Sequence, residues 1–198
     1  MHQFLQELSS SAPTPGGGGA AALIGAISAS LCSMVANLTT GKKKYAQYQE
    51  KIDEYLDILP GIIENLEADI KKDADAFAPL AAAYSKDKSD PDYNEVMEMA
   101  TLNAAIAPLE ITRDIYNLVP IIEEMAIIGS RLAISDVAVA ATSAIAALES
   151  AVMNIYINTR TLADREAADK MNAEAMNMVA DGKERLGKVY EEIMTSLR

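Results

Sequence analysis

Between Ala12 and Gly41 the chain carries no charged residue, a run long enough for one helix to cross a bilayer or the middle of a protein core. Its composition separates the two. Leu and Ile are sparse, five glycines fall between Gly16 and Gly25, and Ser28, Ser30, Ser33, Asn37, Thr39 and Thr40 dilute the rest. Such side chains suit helices that approach one another closely, so a buried helix and no membrane span is expected. A second stretch, Val137-Ala138-Val139-Ala140-Ala141, is as small and apolar. A helix hydrophobic all round must be covered all round. One bundle of 198 residues has difficulty covering two. Burial at a subunit interface follows, and a homodimer is expected.

The rest of the chain is helical in pattern. Aromatic residues make up 5% with no Trp, too few for a typical sandwich or barrel, and no period-two alternation appears. Tyr45, Tyr48, Ile52, Tyr55, Leu56 and Leu59 recur at three- and four-residue spacing within a helix expected from Lys42 to Leu59. Pro60-Gly61 suggests a kink or restart, after which the pattern continues to about Tyr84. Ser85 to Asp90 is the clearest loop. A helix is then expected from Pro91, with Asp90 as its cap, towards Ile128, with kinks at Pro108 and Pro120. Further helices are expected over Ser135 to Thr159 and Asp164 to Leu197. The fold class is therefore all-α: a single-domain bundle of long kinked helices over residues 1–198, dimeric.

A net charge of −12 excludes nucleic acid as a partner, because displacing counterions from a phosphate backbone takes Lys and Arg. Cys32 is the only cysteine, so no internal disulfide forms, and its apolar neighbours make it a small buried hydrophobe. His2 is the only histidine, which removes Ser-His-Asp and histidine-zinc chemistry. The opening residues lack the basic leader and apolar core of a secretory signal, and a cytoplasmic location is expected.

Three groups of residues carry possible chemistry. Pro13-Thr14-Pro15-Gly16-Gly17-Gly18-Gly19 runs into a helix, where glycines allow close approach to a ligand and the first N–H groups are unpaired. No Gly-Lys-Ser/Thr closes it, so it is not a nucleotide phosphate loop. Lys42-Lys43-Lys44 is a basic cluster in an acidic chain, either a solvated face or a handle for a multiply anionic ligand. Asp69, Asp73, Asp75 and Asp136 are candidate carboxylates, with Lys71 and Lys72 able to neutralise the first two and a solvated cap the plain account of Asp136. Asn154 and Asn158, four apart on an apolar helix, are amides that need partners if buried. No residue set has metal-ligand spacing, and no metal is expected.

These segments, in this order, resemble the cyclodeaminase/cyclohydrolase family of formiminotetrahydrofolate cyclodeaminase and methenyltetrahydrofolate cyclohydrolase. The matching stretches include Pro13-Thr14-Pro15-Gly16-Gly17-Gly18, Met34-Val35-Ala36-Asn37-Leu38-Thr39 with Gly41-Lys42-Lys43-Lys44-Tyr45, and Asp73-Ala74-Asp75-Ala76-Phe77. Pro108-Leu109-Glu110, Ser135-Asp136-Val137-Ala138 and Asn154-Ile155-Tyr156-Ile157-Asn158 complete the set. Two departures stand out: Gly19, where the family usually has Ser, and Ala83-Tyr84-Ser85-Lys86-Asp87, where it usually continues into a basic residue, Leu and Pro.

The resemblance implies an all-helical dimer with a folate cleft near the subunit interface. It implies no cofactor beyond the tetrahydrofolate substrate itself, polyglutamylated or not. The activity expected first is cyclodeaminase, closing 5-formiminotetrahydrofolate to 5,10-methenyltetrahydrofolate with loss of ammonia. The alternative is cyclohydrolase, interconverting 5,10-methenyl- and 10-formyltetrahydrofolate. A folate-binding or assembly protein without activity is the alternative of another class. Asp136, Asp73 and Asp75 are the carboxylates available for proton transfer. Thr14, Gly16, Gly17, Gly18, Asn37, Asn154 and Asn158 would orient the pterin and its bridge, and Lys42, Lys43 and Lys44 would meet the glutamate tail.

Overall fold

The computed structural model describes all 198 residues and contains seven α-helices and no strand. In chain order these are α1 (His2–Leu8), α2 (Gly17–Asn37), α3 (Gln49–Ala83), α4 (Tyr93–Tyr116), α5 (Val119–Ile128), α6 (Ile134–Thr159) and α7 (Arg165–Leu197). Helix α2 lies against α3 and α6, and α6 also packs on α4 and α7, so the two least charged helices meet near the centre. Their contact is close because small residues face it: Ala21, Ala22, Ala29, Ala140, Ala141, Ala144 and Ala147 are fully buried. Ser28 Oγ donates to the Ala140 carbonyl at 2.8 Å, and at the far end the Ser130 N–H donates to Thr39 Oγ1 at 2.8 Å.

Both α2 and the Arg131–Thr159 segment are long and apolar enough to cross a membrane, but about half of each is enclosed by the bundle (56% and 50%). What remains outside includes an uncharged stripe, beside which the exposed Glu149 of α6 pairs with Lys183. Ile27, Met34 and Leu38 are exposed at the α2 end of it, and Val139, Met153 and Ile157 along α6.

The sequence boundaries shift where local geometry wins. Lys43–Tyr48 is a 3-10 turn, and α3 begins only at Gln49. Helix α2 ends at Asn37, and Gly41, at φ +72°, takes the left-handed conformation in the turn that follows. Helix α3 runs without interruption through Pro60 and Pro79, and α4 through Pro108, because packing on both sides offsets one lost hydrogen bond. Pro120 sits in the first turn of α5, where its missing N–H costs nothing, so the expected long helix is two. Helix α4 starts at Tyr93 after Asp92, two residues later than expected from Asp90. Asp164 caps α7 as its position suggests, accepting from the Ala167 N–H at 2.9 Å. Cys32 is fully buried, and burial pushes its thiol up to about 12, so it stays protonated and packs as a hydrophobe.

Candidate active site

At the start of α2 the glycines do what no larger residue could. A Cβ on Gly18 would lie 2.1 Å from Asp73 Oδ1, and one on Gly17 would lie 2.9 Å from Asn154 Oδ1. Their absence lets α3 and α6 bring Asp73 and Asn154 against the α2 backbone. The Gly19 N–H donates to Asp73 Oδ2 at 3.0 Å. The N–H groups of Gly17 and Gly18 have no partner in the chain, as expected in a first helical turn.

These groups border a cavity of about 340 Å³, within the size range of small-molecule sites. Thr14, Gly16, Gly17, Asp73, Asn154 and Asn158 line it, so six positions drawn from distant parts of the sequence converge. Phe77, Tyr84, Ala104 and Ile157 supply apolar walls that sequence reasoning did not single out. Phe77 had a signal, standing one turn from Asp73. Ile157 lay within the matching stretch from Asn154 to Asn158, whereas Ala104 carried no signal, because an apolar residue on a buried helix reads as core.

Asp73 is half-buried. Desolvation raises its carboxyl above the ordinary range, and the Gly19 N–H works against that shift. One oxygen is thus held by a backbone donor while Oδ1 takes none, the arrangement of a carboxylate that can accept and return a proton. Asn158 Nδ2 donates to the carbonyls of Ala104 (2.9 Å) and Asn154 (2.8 Å), and Asn154 Nδ2 donates to that of Ser150 (2.9 Å). No cluster of three or more His, Cys, Asp or Glu side chains is placed to hold a metal ion.

The other candidates lie elsewhere. Asp75 is exposed and paired with Lys71 on the outer face of α3. Asp136 stands in the first turn of α6, eighteen residues before Asn154, which is about 27 Å along the helix. Asn37 ends α2 and turns its amide back to the Ser33 carbonyl at 2.9 Å, and Lys42, Lys43 and Lys44 follow it, exposed. Within one copy these residues and Asp136 form a second group at the opposite end of α2 and α6 from Asp73.

Of the two departures, Gly19 is spacious: a Cβ there would meet Ile70 and Pro15 at ordinary contact distances of 3.5 and 3.6 Å. In the loop after α3, Tyr84 lines the cavity, while Lys86 is tied to Asp90 and Asp92 at 3.1 Å each.

The chain is similar to known proteins along its length. The family model of formiminotransferase-cyclodeaminase matches residues 1–177. A methenyltetrahydrofolate cyclohydrolase from Methylorubrum extorquens is 36% identical over 205 residues, spanning 100% of this chain and 97% of its own. The formimidoyltransferase-cyclodeaminase of Rattus norvegicus is 24% identical over 92% of this chain, which spans only 35% of that longer protein. The crystal structure of formiminotetrahydrofolate cyclodeaminase from Thermotoga maritima superposes with a TM-score of 0.86 at 25% identity, over 98% of this chain and 96% of its own.

Proposed function

The chain belongs to the formiminotransferase-cyclodeaminase family, and we propose that it acts on the one-carbon bridge of tetrahydrofolate as a 5,10-methenyltetrahydrofolate cyclohydrolase. The class of reaction rests on one observation: Asp73, with one oxygen free of hydrogen bonds, lines a cavity of about 340 Å³ beside the unpaired Gly17 N–H and two carboxamides. Cyclohydrolase is placed ahead of cyclodeaminase because the relative matching this chain nearly end to end at 36% identity carries that name. Cyclodeaminase is the second reading, supported by the superposition on the Thermotoga maritima enzyme.

The methenyl bridge is a cationic amidinium, so the Asp73 carboxylate favours its binding. Water attacks the bridge carbon while its proton passes to Asp73. That proton then goes to N5 as the C–N5 bond breaks, the formyl group stays on N10, and the hydroxyl proton leaves to solvent. In the cyclodeaminase reaction N10 attacks the carbon of the protonated formimino group, the proton N10 loses passes to the resulting NH2, and the bond from carbon to that nitrogen breaks to release ammonia and leave the methenyl cation. The Gly17 N–H supplies a donor at the same end of the cavity. The polar atoms suit a pterin, and Phe77, Tyr84 and Ile157 suit its ring faces.

The protein is read as a soluble cytoplasmic homodimer paired through the uncharged stripe of α2 and α6. Ile157 belongs both to that stripe and to the cavity wall, so a partner covering the stripe would border the cavity.

Absorbance of the methenyl chromophore tests the reading. Decay of methenyltetrahydrofolate faster than in buffer supports cyclohydrolase, and growth of chromophore from 5-formiminotetrahydrofolate supports cyclodeaminase. Binding without either change would leave a folate-binding protein and overturn the enzymatic reading.

A further inference from the structure

Asn154 and Asn158 stand one turn apart on α6, and their partners fix which atoms face the cavity. All three hydrogen bonds from their amide nitrogens end on backbone carbonyls, which cannot donate. Neither side chain can therefore be turned over without setting oxygen against oxygen. Asn158 has used both of its N–H groups, and Asn154 one. Neither Oδ1 accepts a hydrogen bond from the chain. Asp73 Oδ1 adds a third acceptor across the cavity, while the unpaired backbone donors, Gly17 and Gly18, lie at the start of α2. The α6 wall is thus rich in acceptors, and an acceptor left dry and unpaired costs affinity.

Resting on the folate reading, we infer that Asn154 and Asn158 set the orientation of the substrate by holding the pterin's 2-amino group between their two Oδ1 atoms. An exocyclic NH2 directs two hydrogens about 120° apart. Acceptors about 2.9 Å from one nitrogen then lie about 5 Å from each other, close to the ~5–6 Å between Cβ atoms one helical turn apart, from which these two side chains both turn back to the carbonyl four residues earlier. The ring N3–H beside it is a further donor on the same edge. With that edge on α6, the N5–N10 side of the molecule turns to Asp73 and the first turn of α2. The opposite orientation would set the pterin's carbonyl oxygen against the Asn oxygens. Gly17 is part of this device, since any larger residue there would strike the Asn154 amide.

Calorimetric binding of tetrahydrofolate and of its analogue with methyl in place of the 2-amino group separates the possibilities. The wild-type protein is expected to bind the analogue about 10- to 100-fold more weakly, because both Asn oxygens lose their donor. Asn158→Leu and Asn154→Leu are each expected to weaken tetrahydrofolate binding while leaving the analogue within about 3-fold of wild type, so that discrimination collapses. A merely structural role would weaken both ligands together. Asn154 makes only one hydrogen bond, so its variant keeps the test valid should Asn158→Leu fail to fold. Equal affinity of the wild-type protein for both ligands, or unchanged discrimination in both variants, overturns the inference. Discrimination without methenyl turnover would retain it and overturn the enzymatic reading, turnover without discrimination would do the reverse, and binding of neither ligand would overturn both.

Discussion

The Asp114 carboxyl on α4 lies within hydrogen-bonding reach of the Asp69 carboxyl on α3, whose charge and hydrogen bond favour its protonated form. Asp69 is 2% exposed, and its Oδ2 meets no N–H or O–H of the chain, so a protonated Asp114 is the donor that completes it. Lys72 Nζ holds the other oxygen at 2.7 Å. Burial, then the charge and hydrogen bond of Asp69, push Asp114 up to about 6; Lys72 opposes the shift and Glu110 adds to it. Two adjacent carboxylates cannot both ionise cheaply.

The pair makes stability depend on pH in an unusual direction. Folded Asp114 keeps its proton up to about pH 6, whereas the unfolded chain releases it near the ordinary value of 3.8. Between these values the native state binds more protons, so the contribution of this pair falls as pH rises. It is fully present below the unfolded pKa and lost above about 6. In Asp114→Asn the amide donates to Asp69 at every pH. The difference in Tm between variant and wild type should therefore grow in the variant's favour from pH 4.5 to 7.5. A constant difference across that range would mean that no proton is shared.

Gly18 and Gly16 offer a matched pair of substitutions. A Cβ at Gly18 falls 2.1 Å from Asp73 Oδ1, whereas one at Gly16 has nothing within 4 Å. Gly18→Ala should displace the Asp73 carboxylate and lower kcat/KM for methenyltetrahydrofolate by about 100-fold or more, since small misplacements are costly in a catalytic site. Gly16→Ala should stay within about 3-fold. Circular dichroism melts would show whether the first variant is folded, and equal activity in the two would disconnect these glycines from the reaction.

How far the sequence foretold this site depends on what each residue must do locally. The glycine run, Asp73, Asn154 and Asn158 were visible because glycines in series and polar residues in apolar helices contradict their surroundings, and such contradictions mark function. All of them reach one cavity. Asp136 contradicts its surroundings equally, yet eighteen residues of α6 separate it from Asn154, and helical periodicity says nothing about which end of a bundle a neighbour occupies. Asp114 was hidden for another reason: its partner Asp69, itself a candidate, is forty-five residues away, and Asp114 alone does not look unusual. The fold class was legible throughout, while the helix start expected at Pro91 moved to Tyr93 and the kink expected at Pro120 became a break between α4 and α5, because packing decides what a proline does to a helix.

Asp73 itself should govern the pH profile. Burial raises its carboxyl above the ordinary range, and the base form is needed to accept a proton from water. The acid limb of kcat/KM should therefore turn over above pH 3.8, the ordinary value for an aspartate. Asp73→Asn keeps an acceptor for the Gly19 N–H, so the fold should persist while turnover falls by about 10²- to 10⁴-fold and the limb disappears. Retained turnover, or an unchanged limb in the variant, would move proton transfer to another group.

The uncharged stripe makes the last prediction. Ile27 on α2 and Met153 on α6 are exposed in a single copy, on helices that pack against each other, and no charged side chain lies on the α2 part of the surface. A face of this kind, self-complementary about a two-fold axis, is what a homodimer buries. Sedimentation should give twice the chain mass for the wild-type protein. Ile27→Glu and Met153→Glu should each shift it towards the monomer, because a buried unpaired carboxylate is costly at an interface. Met99, exposed on α4, serves as the control, and Met99→Glu should leave the mass unchanged. If the monomers also lose methenyl turnover while Asp73→Asn remains dimeric, the cavity needs its partner copy; monomers that keep full turnover would confine the whole reaction to the Asp73 cavity of one chain.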